Sequence, residues 1–140
     1  MRKDIRGFTL IEVMVVVVIL AILAAVIVPN ILKRPGAARI VAAKNDILSI
    51  QSALSLYKLD NGFYPTTSQG IKALVSKPSS TPVPQNWASG GYLKSMPVDP
   101  WGHPYHYAHP GQHGNVDIWS DGPSSDSGTA HEIGNWQANQ

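Results

Sequence analysis

The chain has 140 residues, no cysteine and a formal net charge of +2. Without cysteine, neither disulfides nor thiolate metal sites can hold the fold. Residues 1 to 7 carry three cations and one acid, a net +2 equal to that of the whole chain, so the remaining side chains sum to about zero. This balance argues against a nucleic-acid-binding function, and the length fits one domain plus an anchor.

The N-terminal segment is dominated by an uncharged run. No residue between Glu12 and Lys33 carries a charge, so residues 13 to 32 could span a bilayer core as a helix of about 20 residues. The basic residues before the run predict that the leader stays in the cytoplasm while the rest is delivered across the membrane. Glu12 is the exception, because an acid within a spanning segment costs about 2.5 to 3.5 kcal/mol and is functional by default.

A partner for Glu12 arises if the chain is cut after Gly7. The cut would leave Phe8 with a free α-amine four positions before Glu12, which is one helical turn away. An α-amine titrates near pH 8, so it is largely cationic at neutral pH. The amine could pair with Glu12 of its own chain or of an adjacent copy. The alternative is a signal peptide or an ordinary anchor with a stray acid, although the run exceeds the roughly 7 to 15 apolar residues of a signal peptide.

The segment from residues 29 to 36 interrupts the helical pattern with Pro29, Pro35 and Gly36. A proline inside a helix removes a backbone hydrogen bond and costs roughly 3 kcal/mol. We hypothesise that the helix kinks or melts here when subunits pack. The alternative is a mild bend around an intact helix.

Residues 37 to 60 carry the pattern of an amphipathic helix that ends at Gly62, a residue suited to a left-handed cap. The apolar positions recur at steps of seven, three, four and three residues, at Ile40, Ile47, Ile50, Leu54 and Tyr57. Beyond it we predict a short helix over residues 71 to 75 and a long loop over residues 78 to 91 that is functional or mobile. Short strands are predicted at residues 92 to 93, 104 to 107 and 116 to 119, the last two as a hairpin. Three strands packed on the helix would make a small antiparallel sheet.

The sequence GFTLIE at residues 7 to 12 resembles the leader junction of type IV pilins and of the pseudopilins of type II secretion. The stretches ALSLYKLDNG (53 to 62), YPTT (64 to 67), PVDPWGHPY (97 to 105) and IGNW (133 to 136) resemble the major pseudopilin family, general secretion pathway protein G. The resemblance covers most of the chain. It separates the chain from ordinary type IV pilins, which usually close a C-terminal loop with a disulfide.

The resemblance implies an α+β, type IV pilin-like fold, with a long N-terminal helix packed on a small antiparallel β-sheet head that has long loops. It also implies a leader over residues 1 to 7, a transmembrane and polymerisation helix over residues 8 to 32, and a periplasmic head over residues 33 to 140. A prepilin peptidase would cut after Gly7 and methylate Phe8, and Glu12 and the Phe8 amine would act in assembly. The chain would be a single-pass protein of the bacterial inner membrane with its head in the periplasm.

The same resemblance implies what the protein does and with what it assembles. Copies would form a helical homopolymer, the periplasmic pseudopilus, which drives export of folded proteins across the outer membrane. The implied partners are minor pseudopilins, the prepilin peptidase, an inner-membrane assembly platform with a cytoplasmic ATPase, and the lipid bilayer. Two rival functions remain: a major type IV pilin, and a membrane-tethered calcium-binding or ligand-binding module that never polymerises.

Four acids lie among Ser, Gly and Thr between residues 117 and 132. Composition alone favours a solvated loop with scattered acids, whereas the resemblance implies one structural calcium, a hard cation that binds oxygen ligands. Carried over from the family, Asp121 is the first acid ligand and Glu132 or Asp126 the second. Further oxygens would come from the backbone carbonyl of Ile118 and from Ser127 or Thr129. We interpret Asp117, which alternates with Val116 and Ile118, as a strand residue.

Four histidines are spaced three, three and four residues apart, which could suggest a zinc site: His103, His106, His109 and His113. On a strand and a loop these spacings do not bring the side chains together, so no specific metal is expected. Alternation puts His106 on the sheet face opposite Tyr105 and Tyr107.

We interpret the aromatic residues Trp101, Tyr105, Tyr107, Trp119 and Trp136 as core of the head. There is no phosphate loop and no Ser/His/acid signature, so an enzyme is not expected.

Overall fold

The computed structural model describes residues 7 to 32, 34 to 124 and 131 to 139. Its helices are α1 (Leu10–Leu32) and α2 (Arg34–Asn61), with short 3₁₀ helices at Ile71–Leu74 and Asn135–Asn139. The strands are β1 (His106–Ala108), β2 (Asp117–Ser120) and β3 (Ile133–Gly134). The chain divides into two compact units, an N-terminal unit up to Ala37 and a head that starts at Ala38.

The N-terminal unit begins with a reciprocal cap at the start of α1. The Glu12 carboxylate accepts hydrogen bonds from the backbone N–H and the hydroxyl of Thr9, at 3.2 and 3.1 Å. The Thr9 hydroxyl oxygen in turn accepts the Glu12 N–H at 3.4 Å. This is a capping box, which satisfies N–H groups that have no partner within the helix. Glu12 therefore has a structural role in the uncut chain that its charge alone did not predict.

The surface of α1 is apolar on every side. Within its unit, each large apolar side chain from Leu10 to Leu23 is more than half exposed. A helix that is apolar all round requires an apolar environment or apolar neighbours. No helix in the described part of the chain meets the combined length and apolarity expected of a membrane span.

The proline-containing segment is helical on both sides of Lys33. Residues 29 to 32 belong to α1, and residues 34 to 36 belong to α2. The hypothesis that this segment kinks or melts concerns subunits packed together, so it stays a prediction.

One face of α2 supplies the core of the head, as the apolar stripe predicted. Its buried residues Ala43, Ile47, Ile50, Ala53, Leu54 and Tyr57 share one cluster with Tyr105, Tyr107, Val116, Ile118 and Ile133. The stripe is wrong at Ile40, which is 40% exposed. The cluster begins one turn later, at the fully buried Ala43, and Ile40 lies outside the core formed by the described residues.

The C-terminal end of α2 is fixed by Asn61 and Gly62, as predicted. Gly62 has a positive φ of 83°, and its N–H donates to the Lys58 carbonyl at 2.7 Å. The Asn61 side chain donates to the Tyr57 carbonyl at 3.0 Å and accepts the N–H of Asn86 at 3.0 Å. Asn61 thereby ties the helix end to the long loop.

The sheet has the order β1-β2-β3, and both pairings are antiparallel. Tyr107 pairs with Ile118, so the predicted hairpin is confirmed. The predicted strand at residues 92 to 93 is wrong, because Tyr92 and Leu93 both donate to the single carbonyl of Leu74. The third strand is β3, whose two residues carry no alternating pattern that a sequence could reveal.

The short second helix is confirmed as the 3₁₀ turn Ile71–Leu74. The long loop that follows is tied down by polar contacts. Trp87 donates its indole N–H to the Ala73 carbonyl at 2.9 Å. The observed combination of N-terminal helices, a small antiparallel sheet and long loops is the predicted α+β class.

Candidate functional sites

The end of β2 places a buried carboxylate at the entrance to the acidic loop. Asp121 is 5% exposed, and its Oδ2 atom lies 2.8 Å from His106 Nε2. Its other oxygen, Oδ1, is buried and has no hydrogen-bond partner among the described residues. A buried carboxylate oxygen without a partner is costly, and a hard cation would satisfy it.

The two ends of the acidic loop meet next to Asp121. Gly122 has a positive φ of 73°. A Cβ atom added to Gly122 would overlap the backbone carbonyl of His131, so only glycine fits this approach. The chain that leaves after Asp121 and the chain that returns before Glu132 are therefore brought together by the backbone.

Asp99 holds the end of β2 in place through hydrogen bonds to both of its carboxylate oxygens. Its Oδ2 accepts the Ser120 hydroxyl at 2.6 Å, and the Ser120 oxygen accepts the N–H of Gly122 at 3.0 Å. Its Oδ1 accepts the N–H groups of Trp101 and His103 at 3.0 and 2.8 Å. Sequence reasoning missed this anchor. The turn sequence Asp-Pro-Trp-Gly was the available signal, because an aspartate before such a turn caps its amides.

The predicted calcium ligands are only partly described. Ile118 lies on β2 and Asp121 directly follows it. The Ile118 N–H donates to Asn135 Oδ1 at 3.1 Å. Glu132 is half-buried immediately before β3, and its carbonyl accepts the Gln137 side chain at 2.9 Å. Asp126, Ser127 and Thr129 lie outside the described residues. Within the described ranges no group of three or more histidines and acids is arranged to hold a metal ion, so the ligand set stays a prediction.

Asp117 folds the loop between β1 and β2. Its Oδ2 accepts the N–H of Gln112 at 2.8 Å and lies 2.9 Å from His113 Nδ1. The His113 N–H donates to both carboxylate oxygens at 3.2 Å. Burial acts to raise the pKa of Asp117, but the hydrogen bonds from His113 and Gln112 outweigh it and lower that pKa below 3.8. Asp117 thus lies on a strand, as interpreted, and its carboxylate also holds the loop between β1 and β2 in place.

A row of stacked rings covers the outer face of the sheet. His106 stacks on Trp119 with centroids 5.1 Å apart, and His113 stacks on Trp136 at 4.1 Å. The placement of His106 opposite Tyr105 and Tyr107 is confirmed, and both tyrosines are buried.

The interpretation of Trp119 and Trp136 as core residues is wrong. Trp119 is the cross-strand partner of His106 and points to the outer face, where it is half-buried. Trp136 lies over Gly134, and a Cβ atom on that glycine would overlap its ring. Trp101 is partly buried against the core.

The four histidines have different neighbours. His106 and His113 pair with different aspartates, and His103 Nδ1 lies 3.9 Å from Asp99. His109 packs edge-on against Tyr64 at 5.5 Å. The structure gives each ring a separate local role.

The N-terminal motif lies ahead of α1. Gly7, Phe8 and Thr9 precede the helix, and Phe8 is 86% exposed. The bond between Gly7 and Phe8 is therefore outside regular secondary structure. Phe8 precedes α1 and Glu12 lies in its first turn, so the pairing of the Phe8 amine with Glu12 after cleavage stays a prediction.

Comparison with known proteins gives matches over both units. The family described as type II secretion system (T2SS), protein G matches residues 30 to 136, and the prokaryotic N-terminal methylation motif matches residues 2 to 28. The type II secretion system core protein G of Pseudomonas aeruginosa is 54% identical over 96% of this chain and 97% of its own. That of Vibrio cholerae is 51% identical, over 97% of this chain and 94% of its own. The crystal structure of the major pseudopilin from the type 2 secretion system of enterohaemorrhagic Escherichia coli has a TM-score of 0.72 and 42% identity, and the match covers 78% of this chain and 96% of that one.

Asp117 gives the head a pH-dependent contribution to stability. Asp117→Asn should lower the free energy of unfolding by about 1 to 3 kcal/mol at neutral pH, because it weakens charge-assisted hydrogen bonds in a buried site. Since the folded pKa lies below 3.8, the contribution is present above that value and is lost as the pH falls through the folded pKa. The difference in melting temperature between wild type and variant should therefore be full near pH 7 and shrink near pH 3.

The measurement is thermal unfolding of the full chain in detergent, with Lys94→Gln, which removes an exposed charge, as the control. An equal difference at both pH values would contradict the assignment to the Asp117 carboxylate.

Proposed function

The chain belongs to the type II secretion system protein G family, and we propose that it polymerises helically into the periplasmic pseudopilus that drives export of folded proteins across the outer membrane. Its class is that of a structural pseudopilin, a secretion component with a type IV pilin-like fold. The observation that carries the proposal is the coincidence in one chain of the methylation motif, an apolar α1 and a pseudopilin head. Polymerisation would also cover the apolar surface that α1 exposes in the single chain.

Processing at Gly7 is the first step of the proposal. A membrane peptidase would cut after Gly7 and methylate the Phe8 amine, which is supported by the motif match over residues 2 to 28. The exposed, non-helical position of Phe8 leaves the bond accessible to a peptidase. Before assembly, residues 8 to 32 would anchor the protein in the inner membrane. That anchoring rests on the uncharged run in the sequence and not on the helices as the structure describes them.

Glu12 is the assembly residue in this proposal. In the uncut chain its carboxylate is bonded to the N–H and hydroxyl of Thr9, both neutral groups. Cleavage would create a cation one residue before Thr9, either for Glu12 of the same chain or for that of a neighbour. A charge-assisted pair is stronger than the bonds that the neutral donors supply.

Further partners follow the same family membership. We propose minor pseudopilins that share the filament and an inner-membrane platform with a cytoplasmic ATPase that drives its growth. The polymer itself would be built from identical copies, in a heterologous arrangement that does not close into a ring.

The charge of Glu12 can be separated from its capping role. Glu12→Gln keeps the capping box, since glutamine serves at this position, but it removes the charge; Glu12→Ala removes both. Both variants should be cut at Gly7, yet filament yield should fall at least about tenfold, because losing one partner of a buried ion pair costs about 3 to 5 kcal/mol. Processing is followed by mass spectrometry and assembly by sedimentation of sheared filaments.

The control is Thr9→Val, which removes the cap hydroxyl, keeps the Glu12 charge and should assemble. Normal filament yield with Glu12→Gln would refute the ion pair and leave Glu12 with its cap alone.

We further propose that the acidic loop binds one structural calcium. The Oδ1 of Asp121, which is buried and has no hydrogen-bond partner among the described residues, supports it, as does the meeting of the loop ends at Gly122 and His131. Asp121 would hold the ion, together with Glu132 or Asp126, the Ile118 carbonyl and Ser127 or Thr129. When bound, the ion would supply a hard positive charge that satisfies these oxygens and fixes the loop.

Calcium should raise the melting temperature of the full chain in detergent relative to chelator. At a free concentration about a hundredfold above the dissociation constant, a single site adds about 2.7 kcal/mol to the free energy of unfolding. Asp121→Asn should abolish the difference, and Asp60→Asn should keep it. Identical melting temperatures of the wild type in calcium and in chelator would contradict the proposed calcium site.

A further inference from the structure

Many acids of the described head are engaged in contacts within it, whereas its cations lie at the surface. Five acids accept hydrogen bonds or pair within the head: Asp46, Asp60, Asp99, Asp117 and Asp121. The cations of the described head are all exposed: Arg39, Lys44, Lys58, Lys72, Lys77 and Lys94. The exposed lysines are therefore charges that a ligand can reach, and they favour anionic ligands.

Two of these lysines line a groove of about 320 Å³ between the 3₁₀ turn Ile71–Leu74 and the loop after it. Its polar lining is Ser68, Gln69, Lys72, Ser76, Lys77, Ser79 and Ser80, and no carboxylate lines it. Neither Lys72 nor Lys77 forms an ion pair with any residue in the described part of the chain. Their charges are available to a ligand.

Gln69 holds the two walls of the groove together. Its Oε1 accepts the N–H of Thr66 at 3.0 Å. Its Nε2 donates to the Ser80 and Pro82 carbonyls at 2.9 and 3.1 Å and to the Ser80 hydroxyl oxygen at 3.3 Å. Since Gln69 is 9% exposed and its amide is fully used, the groove is formed before any ligand arrives.

The same contacts leave hydrogen-bond donors facing the groove. Because the Ser80 oxygen accepts from Gln69, its own O–H remains able to donate. The turn that carries Lys72 is fixed by its carbonyl, which accepts the N–H groups of Val75 and Ser76 at 3.0 and 2.9 Å. Two lysines and a serine whose hydroxyl can donate thus line one groove.

We propose that this groove binds a phosphate group. Two lysines match the charge of a phosphate monoester, which is close to −2 at neutral pH, and hydroxyl donors suit its three acceptor oxygens. Lysine serves as a point charge for phosphate, whereas planar carboxylates favour the fork of arginine, and no arginine lines the groove. The source is inorganic phosphate or the headgroup of a phosphomonoester lipid. The site does not depend on polymerisation.

The test is an NMR titration of the full chain in neutral detergent, at constant ionic strength, with two probes. Inorganic phosphate represents the free ion, and short-chain phosphatidic acid represents the lipid headgroup. We expect saturable amide shifts in residues 68 to 80 with at least one probe, and the tighter probe identifies the source.

Matched variants locate the site. Lys72→Gln and Lys77→Gln should each weaken binding about three- to tenfold, the loss expected for one partly exposed charge-assisted contact. Lys94→Gln removes the same charge outside the groove and should change binding less than about twofold. The proposal is overturned if neither probe saturates, or if Lys94→Gln weakens binding as much as the groove variants. Unchanged melting temperatures show that the variants are folded.

Discussion

Glu12 is the single carboxylate in an otherwise uncharged run, and it limits the environments in which the N-terminal unit is stable. The sides of α1 are apolar in every direction, so it is stable only where lipid or other copies cover it. In the described part of the uncut chain, the Glu12 carboxylate accepts hydrogen bonds from the N–H and hydroxyl of Thr9, which are neutral groups. In our proposal, cutting after Gly7 supplies the missing cation, and then apolar burial and charge pairing favour the same outcome, a bundle of identical helices.

The head depends on polar anchors more than on its sheet. Strands of two to four residues offer few ladder hydrogen bonds, so the loops are held by buried side chains that replace backbone partners. Asn135 is the clearest case, because its amide bonds the N–H of Ile118 and the carbonyl of Val116 as a neighbouring strand would. Gln69, Asp99 and Asp117 do the same for other loops. These acids do not line the groove that contains Lys72 and Lys77, and the absence of a carboxylate from its lining is the feature that points to an anion there.

Features that depend on periodicity were predictable from the sequence, and features that depend on long-range polar contacts were not. The stripe on α2 and the hairpin of β1 and β2 follow from repeats of 3.6 and 2 residues, which report the buried face directly. The strand β3 has two residues, one of them a glycine, so no repeat exists to find. The same limit applies to Asp99, because local spacing does not reveal its bond to Ser120. Trp119, in contrast, was predictable, since alternation next to the buried Ile118 puts it on the outer face of the sheet. At the candidate calcium site, Asp121 was predicted from the family resemblance. Only the structure shows that its Oδ1 is buried and has no hydrogen-bond partner among the described residues.

In our proposal, proteolysis creates the cation that Glu12 requires. This can be tested by intact-mass spectrometry of the protein taken from assembled filaments. We expect a single species that begins at Phe8 and carries one extra methyl group on its amine. Functional filaments whose subunits still carry Met1 would contradict it.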